Sequence, residues 1–360
     1  MTNEVLRPGD VVLRRFRVEG LAGRGGLAEV FRALDVGTGE AVAVKVPRRA
    51  LAGEGSAAAR FLREARVARR VVHPAVPACV AVGVLPTGSP ALVTRFVEGE
   101  TLHARIARGP LDVPDALRIA ARVAEALDAA HALGVVHRDV TPGNVLLAAG
   151  EALPDAVRVV DFGLAFVLDE PRLSATHAAL GTSEYLPPEQ CRGERVTPAA
   201  DLYALGATLA HALTGHTLFS GDPARQRAAH VAEAPPDLAA RRPDLPRAVA
   251  DYVASLVRKR PAERPPSAAA VARDLRRLAD GLVPSPEALS SEVREALQSA
   301  SERAAAARAR VATELAALGA ARGDAAVSPA EAALERAIER IEAACAEERR
   351  AIAAGGVTSR

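Results

Sequence analysis

Lysine is nearly missing from this chain. Of its 46 basic residues only Lys45 and Lys259 are lysine, and the rest are arginine. With the abundance of alanine, this reads as the imprint of a GC-rich genome, and it makes the position of Lys45 informative. Cysteine is also scarce. Cys79, Cys191 and Cys345 lie far apart, which excludes a metal-ligand spacing and a disulfide framework and fits a reducing, cytoplasmic setting. Every apolar run is broken by Arg, Glu or Pro before it reaches membrane-spanning length, and the opening residues lack the apolar centre of a signal peptide. The formal net charge is only +2, so nothing argues for a nucleic-acid or membrane partner. What is present, 49% hydrophobic and 25% charged residues over 360 positions, is the composition of a soluble globular protein with room for about two domains.

One stretch organises the rest: His137-Arg138-Asp139-Val140-Thr141-Pro142-Gly143-Asn144, followed seventeen residues after Asn144 by Asp161-Phe162-Gly163. Together they read as the floor of a phosphoryl-transfer site. Asp139 stands where an attacking hydroxyl gives up its proton, and Asn144 and Asp161 hold divalent metal against nucleotide phosphates. Either segment alone is a weak signal; both in this order and spacing are specific.

Ahead of them, residues 11–46 pattern as a small antiparallel sheet. A Gly-rich turn, Gly23-Arg24-Gly25-Gly26-Leu27-Ala28, brings backbone N–H groups close to an anion because no Cβ intervenes. It is followed by an apolar strand, Ala41 to Val46, that carries Lys45. A lysine buried in such a strand needs partners. Phosphate supplies one, and Glu64, the lone acid in the central turns of a helix expected over residues 57–72, supplies the other. His73 reads as structural. Two more strands are expected around residues 80–84 and 91–96, with Thr94 and Phe96 where the chain leaves the sheet and free backbone groups could meet an adenine edge.

Beyond residue 97 the pattern turns helical. Leu117, Ala120, Ala124, Leu127 and His131 mark one buried helix face. Short strands at residues 145–147 and 157–160 set Asn144 and Asp161 at strand edges. Residues 164–189 are hydroxyl-rich and irregular, a long functional loop. Thr197-Pro198 starts a helix whose Leu202, Leu205, Leu209 and Leu213 keep helical period with almost no charge. Asp201 in its first turn is assigned to tying down the catalytic loop. Further helices are expected near residues 223–232, 247–257 and 267–278.

By this point the motifs resemble the eukaryotic-type serine/threonine protein kinase family in its bacterial form, over roughly residues 14–280. The resemblance implies an α+β, two-lobed catalytic domain over residues 11–282, with the smaller lobe at about 11–97 and the larger at about 98–282. It implies ATP with Mg²⁺ (Mn²⁺ as the alternative ion) and protein Ser/Thr hydroxyls as acceptors. Nucleotide contacts are expected from Leu21, Gly23, Arg24, Gly25, Gly26, Val30, Ala43, Lys45, Thr94 and Phe96. Lys45 with Glu64 orients phosphate, Asp139 is the base, Thr141 faces the transferring group, and Asn144 and Asp161 bind metal. Glu189 is expected to pair with Arg264, and Asp201 resembles the buried helix Asp of the larger lobe. Arg138, beside the base, implies control by activation-loop phosphorylation, with Ser174 and Thr176 the candidate sites. Thr182 is assigned to recognising the hydroxyl substrate.

Three positions depart from the family pattern. Ala28 replaces the third loop glycine, Pro187 replaces the usual Ala, and Thr141 replaces a Lys that would meet the γ-phosphate. The last removes a cation where electrostatic stabilisation matters most. It keeps a second reading open, a pseudokinase scaffold signalling through its tail; a small-molecule phosphotransferase is disfavoured by the activation-segment features. That tail, residues 283–360, is rich in Ala, Glu and Arg and keeps near-heptad apolar spacing on both sides of a Gly/Pro break. It reads as a helical hairpin or short coiled coil, with residues 287–352 a surface for self-association or a partner helix.

Overall fold

Alternation of apolar and polar side chains along the first third of the chain builds a twisted antiparallel sheet. In the computed structural model, which describes residues 6–24, 28–47, 69–162 and 183–282, its strands are β1 (Val11–Val12), β2 (Phe16–Arg24), β3 (Ala28–Asp35), β4 (Ala41–Pro47), β5 (Cys79–Val84) and β6 (Pro90–Arg95), ordered β1-β2-β3-β4-β6-β5. The chain divides into two units, Met1–Leu282 and Val283–Arg360, and all of the described residues belong to the first. Period two along β4 sends Val42, Val44 and Val46 into a core shared with Phe16, Phe31 and Val93. Burying each of the two phenylalanines, both 1% exposed, contributes about 2 kcal/mol. The same alternation turns Ala43 and Lys45 to the other face.

The strand carrying the glycines runs further than its turn-like composition suggests. Gly23 and Arg24 still pair with Val30 and Glu29, and Arg24 Nε lies 3.3 Å from Glu29 Oε1, so the ladder continues as far as Arg24. Ala28 opens β3 opposite Pro47 and is not among the residues with positive φ, so its methyl group costs no backbone strain. Most of the helix expected over residues 57–72 lies outside the described residues. Its expected last turn is not helical: residues 71–73 are irregular, Val71 enters the core of the larger lobe, and Val72 is 89% exposed. The chain there is drawn off by pairing instead, with Val159 N–H donating to Ala75 O at 2.7 Å and Ala75 N–H to His73 Nδ1 at 3.1 Å.

The larger lobe is helical: α1 (Leu102–Ile106), α2 (Val113–His131), α3 (Pro188–Cys191), α4 (Pro198–Thr214), α5 (Pro223–Ala232), α6 (Leu238–Arg241), α7 (Arg247–Leu256) and α8 (Ala268–Leu282). The chain is therefore an α+β fold of two lobes. Helix α4 is buried around its whole circumference from Ala200 to Thr214, as its lack of charge requires. It ends at Gly215, whose φ of 72° a side chain would resist. Beside it a second sheet, β7 (Gly99–Thr101), β8 (Val145–Ala148) and β9 (Val157–Val159), pairs Val145 with Val159. That register sets the residue before β8 next to the residue after β9, and Val160 N–H donates to Asn144 O at 3.0 Å.

Two buried imidazoles brace this lobe. Tyr185 Oη lies 2.7 Å from His211 Nδ1 and Tyr203 Oη 2.8 Å from His230 Nδ1. Burial pushes both histidines down to about 4, helped at His211 by the neighbouring His103 and His216. The unfolded chain takes up protons at these positions below its ordinary value of 6.5, and the folded chain does so only near 4. Stability is therefore complete above 6.5 and is lost as pH falls through that window. Thermal unfolding followed by circular dichroism should show Tm falling between pH 6.5 and 4, with a shallower slope in a His211→Gln/His230→Gln variant. An unchanged slope in that variant would contradict the assignment.

Candidate active site

The two lobes enclose a cleft of about 670 Å³, within the usual size range of small-molecule sites. Gly23, Arg24, Val30, Ala43, Lys45, Thr94 and Phe96 line it from the sheet side. Arg138, Asp139, Thr141, Asn144 and Asp161 line it from the helical side. Residues assigned from well-separated parts of the sequence thus share one space. Ala22 also stands on the cleft wall, and its neighbour Leu21 is 38% exposed. The β2–β3 register is irregular between Val18 and Gly20 and again between Leu21 and Gly23. Glu64, Gly25, Gly26, Ser174, Thr176, Thr182 and the tail lie outside the described residues.

The floor of the cleft is held by its backbone. Asp201, with no exposure, accepts from His137 N–H at 2.8 Å through Oδ2 and from Arg138 N–H at 2.7 Å through Oδ1, and His131 Nε2 lies 2.7 Å from Oδ2. A buried carboxylate needs several donors, and this one takes them from the loop it positions. His137 is fixed as one tautomer by its two bonds: Nε2–H donates to Val160 O at 2.9 Å, and Nδ1 accepts from Asp139 N–H at 3.3 Å. Its ring packs at 4.6 Å on Phe162. Thr208 Oγ1–H donates to Val140 O at 3.1 Å. Arg138 and Asp161 adopt φ of 66° and 70°, conformations that persist in non-glycine residues only when their surroundings enforce them.

Within this frame the polar groups converge. Lys45 Nζ lies 2.6 Å from Asp161 Oδ2. Asn144 Nδ2 donates to Asp139 O and to Asp139 Oδ2, both at 2.8 Å, which turns the amide oxygen of Asn144 away from Asp139. Burial holds Asp139 above the ordinary carboxylate range, and the charge of Asp161 adds to the shift. Asn144 and Asp161 present hard oxygens as donors. Among the described residues no three His, Cys, Asp or Glu form a metal cage. Oxygen donors of this kind suit a divalent cation.

Behind the cleft, Glu189 and Arg264 form a two-pronged pair at 2.7 and 2.8 Å, 2% and 0% exposed. It anchors α3 to the turn at residues 261–264, with Arg264 also donating to Ala199 O. Several cleft residues escaped the sequence reading. Leu146, Ala22 and Gln190 line the wall, and Thr208 holds the loop. Thr208 had a legible signal: it is the polar residue two helical turns beyond Asp201 on an otherwise apolar helix, hence on the same face. The others are apolar or unremarkable polar residues whose role comes only from where the chain brings them.

A lysine ion-paired across a cleft, above a rigid loop with an outward acid, suits phosphoryl transfer from a nucleotide. Comparison with known proteins supplies the family. The protein kinase domain model matches residues 16–275. The chain is 36% identical over 275 residues to the serine/threonine-protein kinase pkn3 of Myxococcus xanthus, covering 74% of this chain and 50% of that protein. It is 36% identical over 293 residues to PknB of Mycobacterium tuberculosis, covering 79% of this chain and 46% of that protein. It thus spans about half the length of the curated relatives it matches. Among solved structures, the PknI kinase domain of M. tuberculosis superposes with a TM-score of 0.63 at 28% identity, covering 77% of this chain and all of that one. The chain belongs to the protein kinase family, in the serine/threonine form of these bacterial relatives.

The buried Glu189–Arg264 pair gives a sharp expectation. Glu189→Ala leaves a buried guanidinium without its counter-charge and should cost about 3–5 kcal/mol in urea unfolding, whereas replacing both partners by apolar residues (Glu189→Leu with Arg264→Met) should recover only part of it, because Arg264 also donates to the carbonyls of Ala199, Arg258 and Lys259. A single variant within about 1 kcal/mol of wild type would rule out the anchoring role.

Proposed function

We propose that this chain transfers the γ-phosphoryl group of ATP to Ser or Thr hydroxyls of proteins. The observation that carries the reading is the convergence of Lys45, Asp161, Asn144 and Asp139 in one cleft. Lys45 reaches from β4 toward the phosphates, and Glu64 completes its placement. Asn144 and Asp161 hold Mg²⁺, with Mn²⁺ able to replace it. When bound, the metal neutralises charge on the phosphate oxygens. Asp139 orients the acceptor hydroxyl and takes its proton as the new O–P bond forms and the bond to the ADP oxygen breaks. Its raised affinity for a proton suits a base that must accept one at this step.

Thr141 is buried and lines the cleft, so a hydroxyl stands where a cation would otherwise offset the transferring charge. The base and both metal ligands remain, so the reading is a slower enzyme rather than an inert scaffold. Arg138 is assigned as the group that a phosphate on Ser174 or Thr176 would engage, Thr182 as a contact to the acceptor, and residues 287–352 as a self-association or partner-docking segment. The separated cysteines are the basis for placing the activity in the cytoplasm.

Radiolabelled ATP with a generic basic acceptor protein tests the core of this. Wild type should transfer label. Asp139→Asn should lose at least about 10³-fold in kcat while still binding ATP, Lys45→Ala should weaken nucleotide binding as well, and Thr141→Lys should raise kcat. Equal, negligible transfer by wild type and Asp139→Asn, with both binding ATP, would favour the scaffold. Separately, peptide mapping after incubation with MgATP should find phosphate on Ser174 or Thr176. Phosphate found only outside residues 164–186 would refute that site of control.

A further inference from the structure

Gln190, at the third position of α3, is unaccounted for by any role assigned so far. Its Nε2–H donates to Arg138 O at 3.3 Å. Arg138 is the residue with φ of 66° immediately before Asp139, and its own N–H is already held by Asp201. The two sides of this strained residue are therefore gripped from opposite directions: the N–H by α4 and the carbonyl by α3. Because the Arg138 carbonyl can only accept, it also decides which end of the Gln190 amide faces it. The other end, Oε1, is buried and finds no hydrogen-bond partner among the described residues. Gln190 also lines the cleft beside Asp139 and Thr141.

A buried acceptor without a donor carries a desolvation penalty. An apolar side chain of similar size would avoid it. The amide is thus a poor choice for stability and a good one for holding a carbonyl. We propose that Gln190 is a positioning residue for phosphoryl transfer: its amide nitrogen holds the Arg138 carbonyl and thereby sets the direction from which Asp139 meets the acceptor hydroxyl. It couples the catalytic loop to α3, which the Glu189–Arg264 pair one residue earlier pins to the lobe. The inference rests on the function proposed above and extends it to a residue outside the motifs.

The test separates positioning from folding. Gln190→Leu removes both the grip and the orphaned oxygen. It should lower kcat about tenfold, the effect of one hydrogen bond, while leaving Tm unchanged or higher and Kd for ATP and KM for the acceptor within about twofold. Gln190→Glu supplies a donor to Arg138 O only when protonated. Its kcat relative to wild type should therefore climb as pH is lowered from 8 to 5.5, whereas the Leu variant's ratio stays flat. An unchanged kcat in Gln190→Leu overturns the proposal. So does a fall in kcat accompanied by parallel losses in Tm and ATP affinity, which marks general damage. If wild type itself transfers no phosphate, the proposed function fails first and this inference with it; if wild type is active and Gln190→Leu equally so, only this inference fails.

Discussion

A carboxylate with no access to water holds the catalytic loop in place. Asp201 sits in the first turn of a helix buried on every side and takes hydrogen bonds from two successive backbone N–H groups of the loop, with His131 closing the remaining direction. Burying a carboxylate is unfavourable unless its lone pairs are filled by donors. Here the donors are the backbone of His137 and Arg138, so satisfying the acid and shaping the loop are the same event. The left-handed residue, Arg138, carries the second of those N–H groups and leads directly into Asp139.

From that point the constraints spread outward. Thr208, on the same helix, holds Val140 O, and His137 bridges to Val160 O across the β8–β9 pair. Asp139, Asn144 and Asp161 are thus supported by elements that do not adjoin in sequence. The smaller lobe contributes less rigidly. Its cleft-facing residues come from β2, β3, β4 and β6, and along β4 period two separates core from site. An ion pair between Lys45 and Asp161 spans the two lobes, and both ends are partly open to solvent. It is of the kind that phosphate and metal can rearrange without unfolding anything.

The chemistry of the cleft is uneven in its charge. Asp139, Asp161 and Lys45 are close, and burial already makes the negative charge on Asp139 harder to carry. A second cation near Asp139 would relieve that. Thr141 offers only a hydroxyl, and Lys45 is the cation paired with Asp161. In a chain with two lysines, one of them lies at the centre of the site; the other, Lys259, caps the last carbonyls of α5 through Ala229 O and His230 O.

Much of this was legible in the sequence because it is carried by local pattern. The strands of the small sheet follow from alternation, the buried helix α4 from its lack of charge, and Lys45, Asp139, Asn144, Asp161, Asp201, Glu189 and Arg264 from motifs in a fixed order. What the sequence could not determine is everything set by register and approach. Two irregularities in the β2–β3 register, at Val18–Gly20 and at Leu21–Gly23, break the alternation from which a strand's faces are read. Residues 71–72, expected as helix, are irregular, because the chain at Val71 to Ala75 is drawn into the larger lobe by contacts distant in sequence. Gln190 carries no signature, since an amide becomes a clamp only when a carbonyl fifty-two residues away is brought within reach. Residue identity and spacing decided which groups the site contains; which of them touch was decided by tertiary structure, because hydrogen bonds form between neighbours in space and not along the chain.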